Sequence, residues 1–132
     1  MKPKEIDLGF RIDENKLKRL DLPAEEVLFS ELIHNADFCY LEKEGTDDWN
    51  LSPNNLIKDF DRETTHAKRV EAADLTYPIY IYKHLGSWII LDGVHRFTKA
   101  VMNDKKIILV KKVPQKFIDS IKKKKRSSRA NI

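Results

Sequence analysis

The C-terminal part of the chain has the clearest alternation of apolar and polar positions. Ile79–Lys83 and Ser87–Leu91 are β-branched and aromatic runs around His84-Leu85-Gly86, a composition that predicts a hairpin with glycine in its turn. Immediately after, Val94, Phe97, Ala100 and Val101 recur at helical spacing, so a helix is expected from Val94 to about Asn103. The period switches from strand to helix at Asp92-Gly93. Asp104-Lys105-Lys106 ends the helical pattern, and Ile107–Val110 reads as a buried strand.

Upstream the pattern is weaker. Residues 5–12 suit a first strand or an extended lead-in, and Asp13 suits the cap of a short helix over Asn15–Leu20 that Pro23 closes off. In Ala24–His34, Val27, Leu28, Leu32 and Ile33 with acids at the start predict a second helix. Glu42–Trp49 is polar and contains glycine, the mark of a loop. Ser52-Pro53 places a hydroxyl at a cap and proline at the first helical position, with Leu56 and Ile57 facing inward. A further helix is expected over Glu63–Ala73, with Ala67, Val70 and Ala73 on its inner face, His66, Lys68 and Arg69 around the rest, and Tyr77-Pro78 beyond its end. These elements predict an α/β (α+β) fold, a small mixed sheet with flanking helices and a helical N-terminal half. The expected organisation is a helical extension at 1–49 packed on a core at 50–118, then a basic, disordered tail at 119–132.

Composition adds bounds. With 132 residues and 41% hydrophobic content, one domain with a real core is expected. No run approaches the roughly 20 apolar residues of a membrane span, and no apolar signal region follows the first charges, so a cytoplasmic protein without membrane partners is expected. The single cysteine, Cys39, excludes an intramolecular disulfide. Residues 111–132 carry nine Lys or Arg against Asp119 alone, leaving 1–110 with 16 basic and 20 acidic side chains. The basic end, with Lys122, Lys123, Lys124, Lys125 and Arg126, suits nucleic acid as an alternative partner, or simply a solvated terminus.

The candidate chemistry sits at the strand-to-helix switch. A helix's first turn has N–H groups without partners and the positive end of the macrodipole, so a phosphate is favoured there. Gly93 allows close approach of backbone to an anion. Arg96 offers a bidentate fork, and His95 a hydrogen bond or a proton shuttle, unless it is a merely satisfied buried histidine. Asp92 reads either as the helix cap or as an outward carboxylate that holds Mg²⁺ or acts as base. His66 and Arg69, three apart, suit a second wall for phosphates, with Lys68 beside them, or an exposed helix face. Asp74 and Glu31 are candidate general bases or solvated acids. Trp49 and Tyr77 are base-stacking or packing aromatics. A zinc site from the histidines and Cys39 lacks a close ligand pair.

Asp92-Gly93-Val94-His95-Arg96 at this junction, preceded by Pro78-Ile79 and followed by a helix and a Val-rich strand, resembles the ParB/sulfiredoxin superfamily, in its ParB-like N-terminal domain type with an Asp-Gly-x-His-Arg motif. The resemblance covers about residues 76–113 well and 50–75 loosely. It implies binding of a nucleotide (ATP, ADP or CTP), with Gly93 and Arg96 at the phosphates and basic residues of a neighbouring helix, here His66 and Arg69, opposite them; taken with the residue reading above, the expected site is Gly93, Val94, His95, Arg96, Arg69, Lys68 and His66 around the phosphates, Asp92 on Mg²⁺, and His95, Asp92 and Asp74 as catalytic candidates for hydrolysis or phosphate transfer to a small acceptor. In sulfiredoxin the position of Val94 is the attacking cysteine, so that activity is not expected here. DNA binding of the ParB-like, nuclease-related kind through the same anion pocket and the basic end is the alternative. A partition protein is not expected, since no helix-turn-helix domain follows; a homodimer is compatible with the sequence.

Overall fold

The computed structural model describes residues 1–124. Its elements are α1 (Glu14–Lys18), β1 (Ala24–Leu28), two 3₁₀ turns (Phe29–Glu31 and Ile33–Asp37), α2 (Pro53–Lys58), α3 (Thr64–Ala72), β2 (Ile79–His84), β3 (Ser87–Asp92), α4 (Val94–Met102), β4 (Ile107–Lys112) and a 3₁₀ segment over Gln115–Ile121. The fold is α+β, built on one four-stranded mixed sheet in the order β1-β4-β2-β3. β4 lies antiparallel to β1 and parallel to β2, and β2 pairs antiparallel with β3.

Local chemistry accounts for most boundaries. Asp13 accepts hydrogen bonds from the N–H groups of Asn15 and Lys16, satisfying donors that α1 leaves open. Ser52 does the same for Asn55 with Pro53 following it. The β2–β3 turn is tighter than expected, Leu85 and Gly86 alone, both at positive φ (52° and 80°), with His84 the last residue of β2. That double left-handed turn matches the twist of the strands it joins.

Ala24–His34 departs from the expected helix. Ala24–Leu28 is instead an edge strand, in register from Ala24↔Lys111 to Leu28↔Ile107. The side chains that reach the core from the following turns are Phe29, Leu32 and Ala36, whereas Leu28 and Ile33 are 59% and 46% exposed. Pairing with β4 thus overrides the local helix preference of Ala24-Glu25-Glu26. Residues 5–12 do not form a strand; apart from a turn closed by Ile6 N–H on the Pro3 carbonyl, their one sheet-like contact is the isolated bridge of Ile12 with Lys122.

Both faces of the sheet are covered, which explains the near-continuous burial of β2. Ile79, Ile81 and Ile90 face α4 through Phe97 and Ala100, with Phe29 stacked on Phe97 at 5.1 Å between ring centroids. Tyr80, Tyr82 and Ile89 face the other way, onto Ile6, Leu17, Val113 and Ile121. A third cluster, Leu41, Leu51, Leu56 and Val70, seats α2 and α3 beside α4. Residues 119–121 belong to this packed body, Ile121 being fully buried. The expected basic, disordered tail therefore does not begin at 119; its residues from 125 on lie outside the described range. Among the described residues no helix is long and apolar enough to cross a membrane.

Candidate functional site

β3 delivers the chain to α4 through Gly93, whose φ of 104° lies in the left-handed region. Glycine is required there twice over, because a Cβ would lie 2.6 Å from Ile79 Cγ2 and 3.3 Å from the Ile79 Cα. The backbone of the turn thus rests directly on β2. Gly93 is itself the N-cap of α4, and no side chain bonds the first-turn N–H groups. Asp92, expected as a possible cap, is instead the last residue of β3, and its carboxylate caps nothing. The positive end of α4 is left available.

That helix end opens into a cleft of about 1170 Å³. One wall is Asp92, Gly93, Val94, His95 and Arg96; a second comes from α3 and the residues after it, with Arg69, Asp74 and Tyr77. Arg96 is held at the wall by a hydrogen bond from Nη1 to the Pro78 carbonyl (3.3 Å) and by the Tyr77 ring, 5.8 Å from its guanidinium carbon. These contacts leave most of its donors free. Arg69 is exposed and faces the same space, whereas Lys68, one residue earlier, is exposed but does not line the cleft.

His66 does not join the phosphate wall directly. It is buried (4% exposed), with Nε2 2.8 Å from the Glu42 carbonyl and Nδ1 2.9 Å from His95 Nε2, the two rings stacked at 5.1 Å. A carbonyl accepts only, so His66 Nε2 carries a proton. With both rings uncharged, His66 Nδ1 then accepts from His95 Nε2–H. His95 is pushed down to about 4, first by burial and then by His66 and Arg69. Its ring is uncharged at neutral pH.

Asp74 lines the cleft, but its Oδ1 already accepts from the N–H and hydroxyl of Thr76 (2.9 and 2.7 Å), bonds that with Lys99 and Arg96 hold it below the usual carboxylate range. It is a turn-forming carboxylate first. Glu31 does not line the cleft. Trp49 and Tyr77 both do. Among the described residues no group of three His, Cys, Asp or Glu side chains is placed to hold a metal ion, and Asp92 lines the cleft without such a cluster around it.

The third wall, residues 6–12 with Lys2, Glu14 and Lys18, has no counterpart in the sequence expectations. It brings Lys2, Arg11 and Lys18 to the cleft, together with Asp7 and Glu14. Burial lowers Lys2, partly offset by Asp7, and its ammonium lies 4.6 Å from the Trp49 ring centroid. The only local signal was Asp7-Leu8-Gly9, where the Asp7 carboxylate accepts the Gly9 N–H in a tight turn. This segment is fastened by the far end of the chain: Asp13 N–H donates to the Ile121 carbonyl, Lys123 N–H to the Arg11 carbonyl, and Lys16 Nζ to the Lys122 carbonyl. Lys122 pairs with Asp119 at 2.8 Å and lies over Phe10 at 4.5 Å. Of the basic residues expected to meet nucleic acid, Lys122 is thus engaged within the fold, while Lys125 and Arg126 lie outside the described residues. No protein-family model, curated protein or solved structure matches the chain.

Proposed function

We propose that this protein binds a nucleoside di- or triphosphate in the cleft, with the phosphates at the N-terminus of α4. The observation that carries the reading is the uncapped first turn of α4, opening at Gly93 into a cleft that also holds Arg96 and Arg69. Residues 1–110 are net acidic, so attraction for phosphate there comes from this local arrangement and not from overall charge. The cleft is large enough for a nucleotide, in the range of small-molecule sites or slightly above it. Trp49 and Tyr77 at its margins offer faces for a base. Mg²⁺ bound through the phosphates needs only one or two protein carboxylates, and Asp92, which lines the cleft, is the one this reading assigns to it. The likeness of Asp92–Arg96 to the ParB/sulfiredoxin motif supports the same reading.

The test is thermal unfolding of the full chain with ATP, ADP and CTP, with and without Mg²⁺. A nucleotide at a hundred times its dissociation constant stabilises the fold by about 2.7 kcal/mol. Removing Arg96 in an Arg96→Ala variant takes away charge-assisted bonds worth about 1.5–3 kcal/mol, which weakens binding roughly 10- to 150-fold. Equal nucleotide shifts in wild type and variant, or none in either, overturn the proposal.

A further inference from the structure

The His66–His95 pair has a chemical consequence beyond phosphate binding. The acceptor on one side, the Glu42 carbonyl, fixes the proton of His66 on Nε2. His66 Nδ1 then fixes the proton of His95 on Nε2. The remaining nitrogen, His95 Nδ1, carries a lone pair and has no hydrogen-bond partner among the described residues, on a ring that lines the cleft beside the first turn of α4. A neutral imidazole in this tautomer cannot donate to a phosphate from Nδ1; it accepts a proton. Phosphate binding falls to the α4 N–H groups and the arginines, and His95 is left for a hydroxyl.

We propose that His95 Nδ1 is the general base for hydrolysis of a nucleoside triphosphate bound in the cleft, held in the required tautomer by His66 as a positioning residue. The inference rests on the nucleotide reading above. A water oxygen forms a bond to the terminal phosphorus, and the bond from that phosphorus to the bridging oxygen breaks, its electron pair leaving on the nucleoside diphosphate. The proton of the attacking water passes to His95 Nδ1 and from there to solvent. The groups around His95 set its charge in both states. Burial first, then His66 and Arg69 of α3, disfavour the imidazolium; Arg96 of α4 and Asp92 at the end of β3 line the same cleft, Glu42 stands 4.0 Å from His66 Nε2 with Glu44 also near His66, and Lys2, Asp7, Arg11, Glu14 and Lys18 line the cleft's third wall. Burial, with His66 and Arg69, keeps the base free of its proton when no phosphate lies beside it. A bound triphosphate adds several negative charges and raises its proton affinity toward the range in which a base works at neutral pH.

The test measures inorganic phosphate released from ATP with Mg²⁺ by the full chain, beside thermal unfolding with the same ligand. His95→Gln keeps an amide where Nε2 stands, so the bond to His66 survives, but it has no basic nitrogen. It is expected to retain the ATP-induced stabilisation and to lose phosphate release by about 100-fold or more. His66→Ala is expected to lower kcat with KM for ATP little changed, and His66→Asn, whose Oδ1 replaces Nδ1 as acceptor, to restore much of the rate. The wild-type rate should fall on the acid side as His95 in the complex takes up its proton. Stabilisation by ATP with no phosphate release, or with equal release in His95→Gln, overturns the role of His95 and leaves nucleotide binding standing. Absence of stabilisation in wild type overturns both.

Discussion

Gly93→Ala tests whether the junction needs glycine for its backbone, its closeness to β2, or both. The new Cβ meets Ile79 Cγ2 at 2.6 Å, Cβ at 3.0 Å and Cα at 3.3 Å. Ile79 is fully buried among Phe97, Val110 and Ala100, so neither strand nor helix withdraws freely. Forcing a methyl group into such a site costs about 1–3 kcal/mol. Holding alanine at φ 104° adds about 1–2 kcal/mol, since its Cβ crowds the following carbonyl. The expected loss is therefore about 2–5 kcal/mol, a large share of the roughly 5–15 kcal/mol that holds a domain folded. Urea unfolding should show a lower midpoint at unchanged slope. Pairing with Ile79 separates the two causes. Ile79→Val keeps Cγ2 and should not relieve the defect; Ile79→Ala removes Cγ2 and should return about 1–2 kcal/mol of it as a favourable coupling in a double-mutant cycle, leaving the φ cost in place. A loss below about 1 kcal/mol for Gly93→Ala, or a cycle with no coupling, refutes this account of the junction.

Two further outcomes are expected. Ile121→Ala empties a fully buried position between the sheet and the N-terminal segment, so it should destabilise by about 2–5 kcal/mol in the same unfolding assay; a change under 1 kcal/mol would mean the chain end is not packed there. For His95 the folded value, about 4, lies below the 6.5 of a free histidine, so the unfolded chain binds more protons between those limits. Its contribution to stability is complete above about pH 6.5 and is lost as the pH falls toward 4, so wild type should lose stability relative to His95→Gln between pH 7.5 and 5; a constant or opposite difference contradicts a neutral, half-buried His95.

What was legible in the sequence is what short-range chemistry decides. Asp13, Ser52-Pro53 and the Leu85-Gly86 turn act within four residues of themselves, and each boundary they mark is in the fold. The strand–Gly93–helix junction was legible for the same reason, the change of period falling on one glycine. Ala24–Leu28 was not, because its conformation is set by β4, 79 to 87 positions away. His66 was placed off the inner face by the Ala67–Val70–Ala73 spacing, although it lies one helical turn before Val70 and shares its buried stripe. That i, i+4 relation was the available signal. Its partner is on another helix, and no spacing within α3 reveals that. The cleft's third wall was hidden because the alternation of Ile6, Leu8, Phe10 and Ile12 reads as a strand, whereas the segment is held as a wall by backbone groups more than 100 positions away.

Those ties couple the cleft to the order of synthesis. Arg11, Asp13 and Lys16 take their backbone or side-chain partners from residues 121–123, and β1 takes its partner from 107–111. A growing chain therefore carries the glycine turn and both arginines well before it can close the cleft around them. The longest-range contacts, the slowest to form by loop closure, are the ones that complete the third wall. During translation, a ligand that needs that wall would discriminate between chains on either side of residue 123, holding those that have passed it and passing over those that have not.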